Sequence, residues 1–313
     1  MPAFQVESAI DINASTGAVL AHLHDFERWP AWSPWLYMER SVHLDYRGIA
    51  GTVGHGYDWQ GTLVGAGAMT LTELSPTHLE MDLDFIKPFK SHADVRFDIE
   101  SVSADVTRVI WHMDSKLPFF LFFMTGLMKA MIRSDYDRGL KMLKDQVETG
   151  VIHSNTVVDG VVDIPAQTFI GETQAATLST LAASMGRTYP KLMQTFEQAD
   201  IQPSGPPLAI YGAMDIKTGA CKYTAGLPVA ADVAISDLPH DMETGTIVPG
   251  KALRVTHTGS YKHLGNAWST AMANQRHLKL KLKKTSAPFE VYINDPSKTD
   301  EKDLITEIYL PIK

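Results

Sequence analysis

The sequence predicts an α+β protein of two domains, and three observations support that prediction. The chain has 313 residues, which is more than a single hydrophobic core usually serves. Its first half alternates apolar and polar residues in one short segment after another and ends in a long amphipathic stretch. Its second half repeats one order of strand and helix signals. We therefore expect one domain over residues 1–152 and another over residues 155–313.

The first domain is predicted to be a helix-grip fold, in which a curved antiparallel sheet holds a long C-terminal helix. The opening AFQVESAIDI alternates like a half-buried strand, and Ser15 or Thr16 can cap the helix that follows. Between Ser41 and Met113, segments such as HLEMDLDF and DVRFDIESV indicate a sheet of about six or seven strands. The closing segment repeats apolar residues at helical spacing and stops at Gly150.

Aromatic and glycine-rich stretches of this half are predicted to be structural. Trp29, Trp32 and Trp35 recur every three residues, and we expect them to plug one end of the core rather than face a ligand. The stretch GTVGHGYDWQGTLVGAGAM lacks the G-x-G-x-x-G spacing, so its glycines indicate turns and bends rather than a nucleotide site. The most apolar window, residues 118–132, is too short to span a membrane and is expected to be core.

The first half resembles a known superfamily. The order of its elements and the phrases FERWPAWSPW, GTVGHGYDWQG and YDRGLKMLKDQVE are similar to START-like (SRPBCC) domains of the polyketide cyclase/dehydrase branch. The resemblance covers roughly residues 1–150. It implies a cavity for lipids, polyketides or other apolar molecules and brings no shared catalytic set.

The second half contains an internal repeat. IPAQTFIGETQAATLSTLAASM, from Ile164, matches VPGKALRVTHTGSYKHLGNAW in type and rhythm, PPLAIYGAMD matches APFEVYINDP, and YTAGLPV matches TEIYLPI. Each copy is predicted to be strand, helix, strand, strand. Two copies related by pseudo-twofold symmetry would form one sheet with both helices on one face, and the seam between them is a natural place for a ligand.

Residues 155–313 resemble the gyrase-inhibitor-like (GyrI-like) effector-binding domain of bacterial regulators, on RVTHTGSYKHLGNAW, FEVYINDP and LITEIYLPI. The resemblance implies binding of small aromatic or cationic molecules and an acid in the pocket, which maps onto Glu307. Strand alternation puts Glu307 on one face with Tyr309, and Glu290 on one face with Tyr292. Thr224 takes the place of Glu307 in the first copy, so the fold does not require the acid.

Six residues are the predicted ligand-binding set, and Glu307 is the residue expected to matter most. They are Tyr261, Trp268, Glu290, Tyr292, Glu307 and Tyr309. A carboxylate beside tyrosines can pair with a ligand cation held by aromatic faces, or act as a general base if burial raises its pKa. Trp268 could equally pack helix against sheet. The run HLKLKLKK, residues 277–284, is predicted to be a solvated helix end.

Composition excludes several other functions. The net charge is −8, with 20 acidic against 13 basic residues in residues 1–150, so no nucleic acid partner is expected. The histidines show no ligand set at metal spacing, and we expect neither a metal nor a cofactor. A single cysteine, Cys221, and the lack of a leader favour a cytoplasmic protein without a membrane span.

The sequence thus predicts a bacterial protein that binds or senses hydrophobic, aromatic or cationic small molecules and carries no DNA-binding module. Two alternatives stay open. One is a hydrolase of a strained ring or ester with Glu307 as general base, and the other is a polyketide cyclase or lipid carrier in the first domain. Binding without catalysis is the favoured reading, and the sequence makes no prediction of oligomeric state.

Overall fold

Alternating apolar and polar residues build two antiparallel sheets, each in its own unit of the chain. The computed structural model describes residues 3–116, 123–230, 233 and 239–313. The units are Met1–Ile152 and His153–Lys313. The α+β class predicted from the sequence is confirmed, because each unit combines one antiparallel sheet with helices.

In the part of the first unit that the structure describes there are seven strands and four α-helices. The strands are β1 (Ala3–Ile12), β2 (His43–Arg47), β3 (Gly56–Gln60), β4 (Ala66–Ser75), β5 (His78–Lys87), β6 (Ser91–Ser103) and β7 (Val106–Lys116). The helices are α1 (Thr16–Leu23), α2 (Trp29–Trp32), α3 (Pro34–Met38) and α4 (Thr125–Thr149). The sheet runs in the order β1-β7-β6-β5-β4-β3-β2.

Helix α4 lies against this sheet, as the helix-grip prediction requires. It ends at Gly150, whose φ of 72° is the left-handed conformation that glycine adopts without strain. Its buried residues include Tyr136, whose ring stacks 3.9 Å from that of Trp111 on β7. Trp29 and Trp32 are completely buried in the same cluster. Aromatic side chains therefore fill the space between helix and sheet.

The apolar window of residues 118–132 is only partly core. Residues 118–122 lie outside the described part of the chain. Phe123 and Met131 are exposed by 69% and 42%, whereas Met128 and Ile132 pack against β1. Among the described residues, no helix has the length and apolar character needed to cross a membrane.

The described residues of the second unit form eight strands and two α-helices. The strands are β8 (Ser154–Ile164), β9 (Gln167–Thr177), β10 (Leu208–Met214), β11 (Ala220–Pro228), β12 (Met242–Ile247), β13 (Gly250–Gly259), β14 (Phe289–Tyr292) and β15 (Ile305–Ile312). The helices are α5 (Leu181–Gln198) and α6 (Leu264–His277).

The strand order shows the predicted repeat together with an exchange that was not predicted. It is β12-β9-β11-β10-β14-β15-β13-β8. With β8 to β11 as the first copy and β12 to β15 as the second, each strand and its counterpart lie at equal distances from the two edges of the sheet. Each copy has one strand more than expected, because β8 pairs with β13 of the second copy and β12 pairs with β9 of the first. The leading strand of each copy thus extends the edge of the other.

Both helices lie on one face of this sheet. Ala225, Ala209, Glu290 and Ile308 are directly paired neighbours across β11, β10, β14 and β15, so their side chains point to one side. Ala225 belongs to the cluster that packs under α5, and Ile308 belongs to the one under α6. The seam between copies, where β10 pairs with β14, therefore runs beneath the gap between the helices.

Candidate ligand-binding site

Glu290 occupies the middle of the seam between the two copies. It faces Ala209 of β10 on one side and Ile308 of β15 on the other. Its side chain points to the face that carries α5 and α6, and the residue is 1% exposed. A carboxylate in this position has little access to water, so its hydrogen-bond partners decide its state.

Three aromatic side chains donate hydrogen bonds to this carboxylate. The Tyr211 hydroxyl lies 2.8 Å from Oε2, and the Tyr292 hydroxyl lies 2.6 Å from the same atom. Trp268 donates its indole Nε1–H to Oε1. Tyr211 lies on β10, Tyr292 on β14 and Trp268 on α6, so three different elements place a donor beside the same carboxylate.

Two further tyrosines complete an aromatic cluster, defined here as Tyr189, Tyr211, Tyr261, Trp268 and Tyr292. The rings of Tyr189 and Tyr261 lie 5.8 and 5.7 Å from that of Tyr292, edge to face. Tyr211 meets Trp268 in the same way at 5.3 Å. All except Tyr211 are only partly buried, so the cluster reaches the surface above the buried Glu290.

Burial sets the electrostatics of this cluster. It raises the pKa of Glu290, while the hydrogen bonds from Tyr292, Trp268 and Tyr211 oppose that rise. Burial, followed by the nearby Glu290 charge, raises the pKa of Tyr261 to about 12. Among the described residues no cationic side chain is paired with Glu290. The charged form is therefore stabilised by neutral donors alone.

Glu307 has a different environment on the opposite face of the sheet. Arg254 Nη1 lies 3.3 Å from its Oε1, and the Tyr309 hydroxyl donates to its Oε2 at 2.6 Å. Arg254 also donates through Nε to Asp159, 3.2 Å away. The ring of Tyr309 stacks on Phe289 at 4.6 Å. The protein itself supplies a cation to this acid.

The structure brings together four of the six predicted site residues and separates the other two. Glu290, Tyr292, Trp268 and Tyr261 meet on the helix face. Glu307 and Tyr309 lie across the sheet, because Glu307 pairs with Val291, the residue between Glu290 and Tyr292. The expectation that Glu307 and Tyr309 shape one pocket with Tyr292 and Trp268 does not fit this register. A ligand-binding role for any of the six stays a prediction.

Sequence reasoning did not include Tyr189 and Tyr211 in the site. The sequence does contain a pattern that could have identified Tyr211, because the repeat makes it the counterpart of Tyr292. The same alignment sets Ala209 opposite Glu290, so the first copy lacks this acid as well. Tyr189 had no comparable signal. It reaches the cluster from α5, and its hydroxyl donates to the Leu208 carbonyl at 2.7 Å.

Two family models together account for nearly all of the chain. Residues 161–313 match the GyrI-like small molecule binding domain. Residues 3–148 match the polyketide cyclase / dehydrase and lipid transport family. The chain joins one domain of each family. The resemblances read from the sequence are thereby confirmed, and the Glu290 cluster lies in the GyrI-like domain.

Several solved structures are similar to part of this chain at low sequence identity. The EcmrR C-terminal domain is 18% identical, with 52% of this chain and 99% of that chain covered and a TM-score of 0.43. SAV2435 bound to tetraphenylphosphonium is 16% identical, with 49% and 92% covered and a TM-score of 0.35. Aha1 of Colwellia psychrerythraea is 21% identical, with 47% and 98% covered and a TM-score of 0.35. The comparison with curated proteins gives no match.

The polyketide cyclase-type domain has features of its own. A cavity of about 710 Å³ lies at the ends of β1, β6 and β7, with Phe4, Lys90 and Lys129 among its lining residues. On the polar face of its sheet, two exposed groups bring three possible metal-ligand atoms within 4.8 Å of one another. They are Glu73, His78, Glu80 and Asp82, His92, Asp94. Sequence spacing did not reveal these groups, because cross-strand pairing assembles the second one.

Proposed function

We propose that the GyrI-like domain binds a hydrophobic aromatic cation, with Glu290 as its counter-ion and the aromatic cluster as its walls. That this domain is of a small-molecule-binding family is shown by the family match. The class of ligand is the proposal. The observation that supports it is that Glu290, which is 1% exposed, receives three hydrogen bonds, all from neutral donors.

The energetic argument concerns the missing positive charge. Burying a carboxylate without a cation is unfavourable, so such a group either takes up a proton or pairs with a bound cation. The raised pKa of Glu290 reflects its tendency to take up a proton. A ligand cation would provide the alternative, an ion pair, and the tyrosine and tryptophan rings around it add cation–π attraction. A hydrophobic body replaces water over the partly exposed rings.

Glu307 is less suited to this role, although sequence reasoning favoured it. Its carboxylate already pairs with Arg254 and accepts from Tyr309. A ligand cation would compete with a guanidinium that is held by the protein. We therefore assign the counter-ion role to Glu290.

The test uses tetraphenylphosphonium, a hydrophobic aromatic cation whose charge does not depend on pH. Isothermal titration calorimetry should show binding to the parent protein and weaker binding of the neutral triphenylphosphine oxide. Glu290→Gln should weaken tetraphenylphosphonium binding roughly 30-fold or more, since losing one partner of a buried charge pair costs about 2 kcal/mol or more. The matched control Glu307→Gln should stay within about threefold. Equal effects of the two substitutions would contradict the proposal.

A second candidate function rests on the raised pKa of Glu290. A carboxylate with a raised pKa is a better general base, so Glu290 could deprotonate a water that attacks a strained ring or an ester. Styrene oxide and phenyl acetate would test this. Hydrolysis by the parent, abolished in Glu290→Gln while the neutral substrate still binds, supports an enzyme. Substrate that is bound and released unchanged by the parent supports binding alone.

The remaining expectations stay proposals. A sensing role without nucleic acid is supported by the net charge of −8. A carrier or cyclase role of the first domain is supported by its 710 Å³ cavity. Because aromatic side chains fill the space between α4 and the sheet, such a ligand is assigned to that cavity and not to the space under the helix.

A further inference from the structure

The lysine-rich segment is solvated as predicted, since Lys279, Lys281 and Lys284 are exposed, but it lies beyond the end of α6 rather than in the helix. Between residues 276 and 288 the chain has five lysines and arginines and no acid. Helix α6 ends at His277, and the segment then runs along the end of β15. Leu282 bridges to Ile312, and the Lys283 amide donates to the Pro311 carbonyl at 2.9 Å. These contacts fix the backbone that carries the lysines.

This segment forms one side of a cavity of about 540 Å³ in the GyrI-like domain. Tyr211 of β10, Met272 of α6 and Leu310 of β15 line its other sides. The volume lies in the range of small-molecule pockets, roughly 300 to 1,000 Å³. A second set of apolar lining residues comes from the segment and the strand ends: Leu282, Ala287, Pro288 and Pro311. The cavity can therefore hold an apolar body.

The polar side chains at this cavity are Tyr211, Lys283, Lys284, Thr285 and Ser286, of which the two lysines can only donate hydrogen bonds. Lys283 and Lys284 both line it, and among the described residues neither forms an ion pair. The hydroxyl oxygen of Ser286, another lining residue, is buried and has no hydrogen-bond partner. An unsatisfied buried hydroxyl is unfavourable. A ligand that accepts hydrogen bonds and carries negative charge would satisfy all three groups.

We propose that this cavity binds a small amphipathic anion, a carboxylate or sulfonate attached to an apolar body. Lys283 and Lys284 pair with the anionic head, and Ser286 donates to it. Met272, Leu310 and the ring of Tyr211 contact the apolar body. A cation is disfavoured here because the two ammonium groups repel it. The site is thus opposite in charge preference to the Glu290 cluster, and it does not depend on the function proposed for that cluster.

Tyr211 lies at the boundary between the two sites. Tyr211 lines the cavity, while its hydroxyl is committed to Glu290. The head group of the anion is therefore assigned to the lysine side. The apolar end of the ligand lies toward Tyr211.

The test compares decanoate with decyltrimethylammonium, which have the same chain length and opposite head-group charge. Titration calorimetry on the full chain, below micelle-forming concentrations, should show decanoate binding that weakens with added salt. Lys283→Gln with Lys284→Gln should weaken decanoate binding about tenfold. The control Lys279→Gln with Lys281→Gln makes the same change in net charge and should stay within about twofold. Lys283→Gln with Lys284→Gln should leave tetraphenylphosphonium binding unchanged, which separates this site from the one above.

A decanoate analogue with a photoreactive diazirine at its far end places the bound chain. Cross-links should map to peptides that contain Met272, Tyr211 or Leu310, and they should decrease in the double lysine variant. Thermal melting of each variant confirms that the fold is kept. Decanoate affinity that is unchanged in the Lys283 and Lys284 variant, an equal loss in the control, or labelling confined to other peptides would each overturn the proposal.

Discussion

Glu290 and Glu307 are two copies of one local motif on neighbouring strands, and they differ in what surrounds them. Each is followed two residues later by a tyrosine, and in each case that tyrosine donates to the carboxylate at 2.6 Å. Glu307 has Arg254 beside it, with side-chain exposures of 19% and 32% for acid and guanidinium. Glu290 is 1% exposed and receives only neutral donors.

This difference indicates that a buried acid is a better candidate for a functional role when no cationic side chain pairs with it. The ion pair of Glu307 satisfies both partners within the fold, so a ligand can gain little there. The Glu290 carboxylate has hydrogen bonds but no counter-charge within the described part of the chain, so a bound cation would add an interaction that these residues lack. The presence of a tyrosine beside the acid does not distinguish the two cases.

The largest effect that separates the two acids is the pH dependence of tetraphenylphosphonium binding. In the proposed site the cation pairs with ionised Glu290, whose pKa is raised by burial above 4.5, its ordinary value. Affinity should therefore increase with pH through the folded-state pKa, by up to about tenfold per unit below it, and then level off. Titration calorimetry between about pH 5 and pH 8 should show this increase in the parent and in Glu307→Gln. A slope that persists in Glu290→Gln would show that another group titrates.

The second effect is a change in the free energy of unfolding, which should have opposite signs for substitution of the two acids. Glu307→Gln leaves Arg254 with one partner fewer, and we expect the free energy of unfolding to fall by about 1 kcal/mol. Glu290→Gln removes a buried charge, its amide oxygen can accept from Trp268, and the Tyr211 and Tyr292 hydroxyls can turn to accept from its NH2, so it should raise that free energy by about 1 kcal/mol near neutral pH. Urea denaturation of both variants measures the difference.

The sign of the pH dependence gives that experiment an internal control. A carboxyl with a raised folded-state pKa binds more protons folded than unfolded, so the parent loses stability as pH rises from the ordinary value of 4.5 through the folded-state pKa. The advantage of Glu290→Gln over the parent should grow across that window. An advantage that is constant with pH would mean that packing, and not the charge, causes it.

Local patterns in the sequence were sufficient for most of the fold. The period-two alternation indicated the strands, and Gly150 marked the end of α4. The exchange of β8 and β12 between copies was not predictable, because the edge that a strand joins depends on long-range pairing that its own pattern does not encode. The same holds for the cavity beside Lys283, which requires a loop to pair with β15.

The candidate site also depends on a long-range feature, the pairing register between β14 and β15, which the sequence pattern does not encode. Alternation gave the correct partners within each strand, Glu290 with Tyr292 and Glu307 with Tyr309. It did not give the register between β14 and β15. A shift of one residue moves a whole strand face to the other side of a sheet. Pairing of Glu307 with Val291 therefore decides which acid meets Trp268.

The smallest expected difference comes from removing the tyrosine hydroxyl in each motif. Tyr309→Phe leaves Glu307 its ion pair with Arg254, so stability should fall by about 0.5 to 1 kcal/mol without a change in tetraphenylphosphonium binding. Burial raises the pKa of Tyr309 to about 12, so its hydroxyl stays protonated through neutral pH and this loss should not vary with pH there.

Tyr292→Phe should act on binding instead. Glu290 keeps its donors Tyr211 and Trp268, but with one hydrogen bond fewer its ionised form is less stable and its pKa rises further. The binding curve should shift to higher pH, which weakens tetraphenylphosphonium binding about threefold at neutral pH and less at alkaline pH. Calorimetry at two pH values measures both parts. Equal weakening at the two pH values would assign the effect to lost ring packing, because only a shifted pKa makes it recover as pH rises.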